Sequence, residues 1–246
     1  MNTPGITPTG FEATLRFACH PGVACFNECC RDLDLELSPW DVLRLRRGLG
    51  LSTGAFLRRH TQTSREEGRI FPICRLRMAD DERASCPFVR PEGCSVYADR
   101  PAACRTYPLA RGARLLPEGR VEEHLALVRE EHCLGFAEDR TQSVAAWLAE
   151  QGLDAYNRAG DALLRLHQHP RVRDGSFQPT DQQLHHYMLA LFDQDRFREL
   201  LAKGVIKLPF PLTPAQRRAL ANPEQADADL VLLLLAVDRL VRDFFG

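Results

Sequence analysis

The nine cysteines of this chain, Cys19, Cys25, Cys29, Cys30, Cys74, Cys86, Cys94, Cys104 and Cys133, all fall within the first 133 of its 246 residues. That distribution separates a part organised around sulfur from a part that must fold on apolar burial alone. Three chemistries use thiols at this density: disulfides, zinc and iron–sulfur clusters. Disulfides need an oxidising compartment. The first ten residues have neither the basic stretch nor the apolar core of an export signal, so a cytoplasmic location is expected. The cysteine number is odd, and the adjacent Cys29 and Cys30 are poorly placed to bridge each other. Reduced thiolates bind zinc or iron tightly, which makes metal the preferred reading.

The spacing matches neither the paired C-x2-C knuckles of zinc ribbons nor the C-x2-C-x2-C run of bacterial ferredoxins. The first group reads Cys19-x5-Cys25-x3-Cys29-Cys30. If Cys29 and Cys30 lie on an extended segment, their side chains point to opposite sides. They could then serve two metal centres or brace one from two angles. The second group is Cys86-Pro87-Phe88, Cys94-Ser95-Val96-Tyr97 and Arg100-Pro101-Ala102-Ala103-Cys104-Arg105, followed by Cys133-Leu134-Gly135. Cys74 differs. It sits in the alternating segment Ile70–Met78 with no second cysteine nearby, the setting of a plain buried thiol.

These residues resemble the YkgJ-type cysteine-cluster family, a zinc- or iron-chelating domain written CxxCxxCC. The carriers are Phe17-Ala18-Cys19, Cys25-Phe26-Asn27-Glu28-Cys29-Cys30, the segment from Leu37-Ser38-Pro39-Trp40 to Leu45, Cys86-Pro87-Phe88, Gly93-Cys94-Ser95-Val96-Tyr97, Asp99-Arg100-Pro101-Ala102-Ala103-Cys104-Arg105 with Tyr107-Pro108, and Cys133-Leu134-Gly135. The resemblance implies a cofactor- and metal-binding set of Cys19, Cys25, Cys29, Cys30, Cys86, Cys94, Cys104 and Cys133, with Cys74 outside it. It implies an iron–sulfur cluster, a four-iron cubane being favoured, or zinc. The first spacings here are wider than the family label. Flagellin lysine methylases look like relatives with a similar cluster. This chain has no glycine-rich strand–helix motif for a methyl-donor nucleotide, so methylation is not carried over.

The expected fold is α+β and helix-dominated. An irregular cysteine-rich metal domain with a small antiparallel sheet occupies residues 1–140, and a helical region occupies 141–246. Residues 1–16 read as a loose lead-in. Ser38 as N-cap, with Pro39 at the first helical position, starts a helix, and Ser52 caps a second. Residues 70–78 read as a strand. Residues 109–116 and 121–128 flank a Pro117-Glu118-Gly119-Arg120 turn and read as a hairpin. Helices are expected over 141–152, 153–167 and 181–202, a loop over 169–179, an extended connector at Pro209, Pro211 and Pro214, and a terminal helix capped by Asp227.

Basic and acidic residues balance at 32 against 33, which argues against nucleic acid or a membrane surface as partner. No apolar run exceeds the eight residues Leu230–Val237, far short of a membrane span. No G-x-S-x-G, P-loop or H-E-x-x-H is present. Arg44, Arg46, Arg47, Arg58 and Arg59 read as a solvated helix face. His167, His169, His185 and His186 read as surface or capping residues. His20 and His132 adjoin cluster cysteines and could each replace a thiolate. Arg100 either offsets charge on sulfur or fixes the turn that aims Cys104. Three functions remain open: an iron–sulfur protein for electron transfer or a redox step with an unidentified redox or protein partner, a zinc-bound structural or partner-binding module, and a cluster-dependent protein-modifying enzyme.

Overall fold

The computed structural model describes residues 5–225 and 227–246. Nine strands and ten α-helices are found among them. In chain order these are β1 (Gly5–Thr9), β2 (Thr14–Arg16), α1 (Pro39–Gly48), α2 (Thr53–His60), β3 (Thr61–Ser64), β4 (Ile73–Leu76), β5 (Val89–Arg90), β6 (Gly93–Cys94), α3 (Ala102–Thr106), β7 (Leu109–Leu115), β8 (Val121–Arg129), β9 (Thr141–Ser143), α4 (Val144–Glu150), α5 (Asp154–His167), α6 (Pro170–Arg173), α7 (Asp181–Leu191), α8 (Gln194–Ala202), α9 (Pro214–Ala221) and α10 (Ala228–Phe245). The class is helix-dominated α+β with small antiparallel sheets, as expected.

The chain forms two compact units, each discontinuous in sequence. One runs to Leu35 and resumes over Arg77–Asp154; the other comprises Glu36–Leu76 and Ala155–Gly246. Where a single division at residue 140 was expected, the segment carrying α1, α2, β3 and β4 groups with the C-terminal helices.

In the first unit β7 and β8 pair antiparallel from Leu109↔Leu127 to Leu115↔Val121, the expected hairpin. Residues 1–4 of the lead-in lie outside the described residues, and from Gly5 on it is not loose. β1 adds to the outer edge of β8 (Gly5↔Arg129 to Thr9↔Leu125), where Pro8 is tolerated because an edge strand has one face without ladder partners. β2 pairs with β9, from Thr14↔Ser143 to Arg16↔Thr141. The expected 141–152 helix thus begins only at Val144, capped by Ser143, whose Oγ accepts from Ala146 N. Leu15, Phe17, Leu109, Leu125, Val144 and Trp147 form the core of this unit. Phe17 meets the rings of Tyr107, Phe136 and Trp147 at centroid distances of 5.9, 5.1 and 5.4 Å.

In the second unit α1 starts as its sequence dictates. Ser38 Oγ accepts from Asp41 N at 3.1 Å, and Asp41 Oδ2 accepts from Ser38 N at 2.8 Å. This reciprocal cap satisfies two amides that the helix leaves open. Val42, Leu43 and Leu45 are buried. The expected helix over 181–202 is broken into α7 and α8 around Asp193, without proline or glycine. Asp193 Oδ1 accepts from Thr53 Oγ1 at 2.8 Å, and Asp195 Oδ2 accepts from Thr53 N at 2.7 Å. These tertiary bonds outweigh helical periodicity. Pro214 opens α9 instead of continuing a connector, because Thr213 and Gln216 form a second reciprocal cap. Pro170–Arg173 makes a helical turn within the expected loop. Asp227 occupies the N-cap of α10 but makes no side-chain cap bond.

Arg58 and Arg59 are exposed, as a solvated face requires. Arg46 and Arg47 are not part of it. They lie 2.8 and 3.2 Å from the buried Asp229 carboxylate, which also meets Arg198 at 3.2 Å. Periodicity places an arginine on a face but says nothing about a carboxylate 183 positions away. His169 Nδ1 accepts from Arg171 N and caps α6, and its ring stacks on Phe245 at 3.7 Å. His167 is exposed, with Nε2 2.9 Å from Tyr187 Oη.

Candidate metal centre

The eight cysteines singled out by context all lie in the first unit, whereas Cys74 lies in the second. Cys74 is 1% exposed in β4, opposite Thr63, and burial pushes its thiol up to about 11. It packs like a small apolar side chain.

Two local pairings gather the other eight. Beyond the β2–β9 ladder, Phe17 N donates to Arg140 O and Ala18 N to Gly135 O, at 2.9 and 3.1 Å. This carries Cys19 alongside Cys133. Gly135 is essential to the approach. A Cβ there would lie 2.5 Å from Ala18 O and 2.6 Å from the Phe17 ring. On the other side Arg31 bridges Ser85, and Cys86 N donates to Cys30 O at 2.8 Å. The short β5–β6 hairpin follows, pairing Val89 with Cys94. Asn27, at φ +71, takes a conformation that asparagine tolerates better than most residues, and its Nδ2 donates to Arg90 O at 2.9 Å. The Cys29–Cys30 pair sits on a 3-10 turn, Glu28–Cys30, and not on an extended segment. Successive side chains there diverge by a third of a turn. The two thiols therefore stay close enough to share a hydrogen bond, which lowers Cys29 and raises Cys30.

Cys19, Cys25, Cys29 and Cys133 line one hollow of about 20 Å³, with Tyr107, His132 and Gly135 among its walls. Leu134 N donates to Cys25 Sγ at 3.1 Å. Tyr107 Oη is shielded from water and makes no hydrogen bond of good geometry, with the Cys133 thiol and the Glu130 carboxyl as its neighbours. Partial desolvation raises Cys19 to about 11, with Cys29, Cys25 and Cys133 adding to the effect. Burial likewise raises Cys86, Cys94 and Cys133. Cys30 has Cys86 and Cys104 among its thiol neighbours, Cys86 has Cys94 and Cys29, and Cys94 has Cys29.

Both readings of Arg100 have support. Its buried guanidinium donates to Tyr97 O and Gln151 Oε1, each at 2.7 Å, and lies 3.8 Å from the Tyr97 ring. Cys104 and Cys94 are its sulfur neighbours. It thus holds the turn before α3 and brings positive charge to these thiols. His20 is committed elsewhere, with Nε2 3.2 Å from Glu138 Oε2 and Nδ1 accepting from Gly22 N. His132 reaches the hollow, its Nε2 3.7 Å from Glu130 Oε2. Cys19 and His20 also border an open cleft of about 560 Å³, whose Glu138, Asp139 and Glu150 are paired with His20, Arg16 and Arg140.

Among the described residues, no three His, Cys, Asp or Glu side chains are closed into an arrangement that would clamp a metal ion. The thiols are gathered without being locked. The donor set nonetheless suits zinc or iron. The sulfurs are soft, an amide and a phenol stand ready to donate to them, and a cation would favour the thiolate form that partial burial resists. The roles of the Leu134 amide, Tyr107 and Gly135 were not read from the sequence. The Gly after Cys133-Leu134 was the available signal for a close backbone approach.

Fold and site together define a protein whose cysteine cluster is held by loops around a small α+β core. Residues 18–134 match the CxxCxxCC family model, described as "Putative zinc- or iron-chelating domain". The similarity covers the cysteine-bearing part of the chain. No curated protein and no solved structure matches it.

Proposed function

We propose that this chain is an iron–sulfur protein in which Cys19, Cys25, Cys29, Cys30, Cys86, Cys94, Cys104 and Cys133 hold the metal, and that it serves electron transfer or a redox step with a protein partner. The observation that carries this reading is the gathering of eight thiols in one unit with donors turned toward sulfur, Leu134 N to Cys25 and Tyr107 Oη beside Cys133. Hydrogen bonds to sulfur and local charge set the potential of such centres. A bound cluster, a four-iron cubane being favoured, would supply reversible one-electron chemistry. Cys19, Cys29 and Cys104 are exposed, which suits contact with a partner at the surface. The reading assumes a reducing compartment such as the cytoplasm, where the nine free cysteines stay reduced. No helix among the described residues is long and apolar enough to cross a membrane.

A zinc-binding structural or partner-binding module is the second reading. The hollow lined by Cys19, Cys25, Cys29 and Cys133 favours it, four thiolates being the donor set of a closed tetrahedral zinc site. Anaerobic purification followed by iron, zinc and acid-labile sulfide analysis decides between the two. Iron with matching sulfide and visible absorbance is expected; a colourless chain with stoichiometric zinc sinks the iron–sulfur reading. Cys74→Ser should leave the metal content unchanged in either case.

A further inference from the structure

We propose that the eight cysteines form two four-thiol metal sites that meet at the Cys29–Cys30 peptide: Cys19, Cys25, Cys29 and Cys133 in one, Cys30, Cys86, Cys94 and Cys104 in the other. This rests on the reading above that the eight thiols bind metal, and it adds the number of sites and their membership.

Backbone geometry separates the groups, with Cys29 at their junction, since it also neighbours Cys86 and Cys94. The first four thiols line one hollow, and none of the second four does. The pairing of Phe17 and Ala18 with Arg140 and Gly135 carries Cys19 to Cys133, and the Leu134 amide bonds Cys25 into the same group. A different pairing serves the second group, where Cys86 N bonds Cys30 O and the Val89↔Cys94 pair returns Cys94 toward Cys86. Cys104 enters on α3, which the Arg100 bonds to Tyr97 O and Gln151 Oε1 hold in place. The 3-10 turn is the only covalent link between the groups that is one residue long. It hands one thiol to each while keeping both within reach of each other.

The donor count agrees with this division. A tetrahedral zinc or iron ion takes four thiolates, and so does a cubane. One such site would leave four thiols unused; two use all eight. The surroundings also make the sites unequal. Neutral donors, Leu134 N–H and Tyr107 Oη, attend the first, whereas the Arg100 guanidinium attends Cys94 and Cys104 in the second.

The test measures metal per chain in the full-length protein, for wild type, Cys25→Ser, Cys86→Ser, the within-group pair Cys25→Ser/Cys133→Ser and the cross-group pair Cys25→Ser/Cys86→Ser. Each single variant should keep half the wild-type metal. The within-group pair should also keep half, and the cross-group pair should keep none. A single variant that empties the chain overturns the partition. Circular dichroism identifies any variant that fails to fold, and wild-type protein stripped and reloaded with cadmium-113 alone gives a reading that needs no variant. Two cadmium resonances in the tetrathiolate range are expected, and one resonance overturns two sites. A wild-type chain that takes up no iron, zinc or cadmium overturns the metal reading itself, which keeps the two failures distinct.

Discussion

The Leu134 amide donates to Cys25 Sγ at 3.1 Å across 109 positions of sequence, tying the first cysteine loop to the last. That bond exists because the chain at 133–136 lies flat against Phe17 and Ala18. The cysteine hollow and the aromatic core are therefore two sides of one segment.

Gly135→Ala tests this coupling. The new Cβ would meet Ala18 O at 2.5 Å and the Phe17 ring at 2.6 Å, and a backbone oxygen cannot move aside as a flexible side chain can. Overpacking of this kind costs about 1–3 kcal/mol. The substitution should lower the unfolding midpoint and also reduce metal content, because the segment that yields carries Cys133. A variant as stable and as metal-loaded as wild type would show that the close approach is not needed.

Much of this organisation is legible in the sequence because it is local. Ser38-Pro39 and Ser52 start the helices they announce, and Pro117-Glu118-Gly119-Arg120 turns the hairpin. The division of eight cysteines from Cys74 coincides with the division into units because neighbouring residues reveal whether a thiol sits on an apolar strand or among turns. What escapes the sequence is long-range. Nothing in Gly5–Thr9 states that β8 has an open edge, and nothing in Gln194–Ala202 states that Thr53 will claim Asp193 and Asp195. The Cys29–Cys30 turn escapes for another reason. An adjacent pair fixes no backbone conformation, and the left-handed Asn27 selects the 3-10 turn over the extended form.

Asp229→Ala should unfold the second unit far more readily than a typical surface substitution. The carboxylate is 4% exposed and holds Arg46, Arg47 and Arg198. Its removal leaves partly buried guanidinium groups facing one another, a loss of about 3–5 kcal/mol for a broken buried pair. Urea titration of the full chain reads this as a lower midpoint. Asp229→Asn keeps the shape and loses the charge, and it should recover little of the stability if charge is what matters.

Tyr107→Phe should separate the metal-free chain from the loaded one. Tyr107 Oη is shielded and makes no hydrogen bond of good geometry, although the Cys133 thiol and the Glu130 carboxyl lie beside it. A buried hydroxyl without a good acceptor is costly, so its removal should leave the metal-free chain equally stable or more stable, by about 1 kcal/mol. In the loaded chain the same removal takes a donor from the Cys133 thiolate and should weaken metal retention against a chelator. Thermal unfolding with and without metal gives both signs in one experiment. Destabilisation of the metal-free chain would show that the phenol serves packing or a bond to Glu130 instead.

Arg100→Gln addresses charge at the second group of thiols. The guanidinium is 8% exposed, and its desolvation is tolerated beside Cys94 and Cys104 because their thiolates would complement it. Glutamine still donates a hydrogen bond but carries no charge. In an iron–sulfur centre the reduced state has one more negative charge than the oxidised state, so a nearby cation favours reduction. Losing Arg100 should therefore lower the midpoint potential. The shift should be on the order of tens of millivolts, since about 1.4 kcal/mol corresponds to roughly 59 mV for one electron. Arg100→Lys keeps the charge but not the paired bonds to Tyr97 O and Gln151 Oε1, and it should restore part of the potential. Equal potentials for the Gln and Lys variants, both differing from wild type, would mean that Arg100 acts by holding the turn before Cys104 and not by its charge.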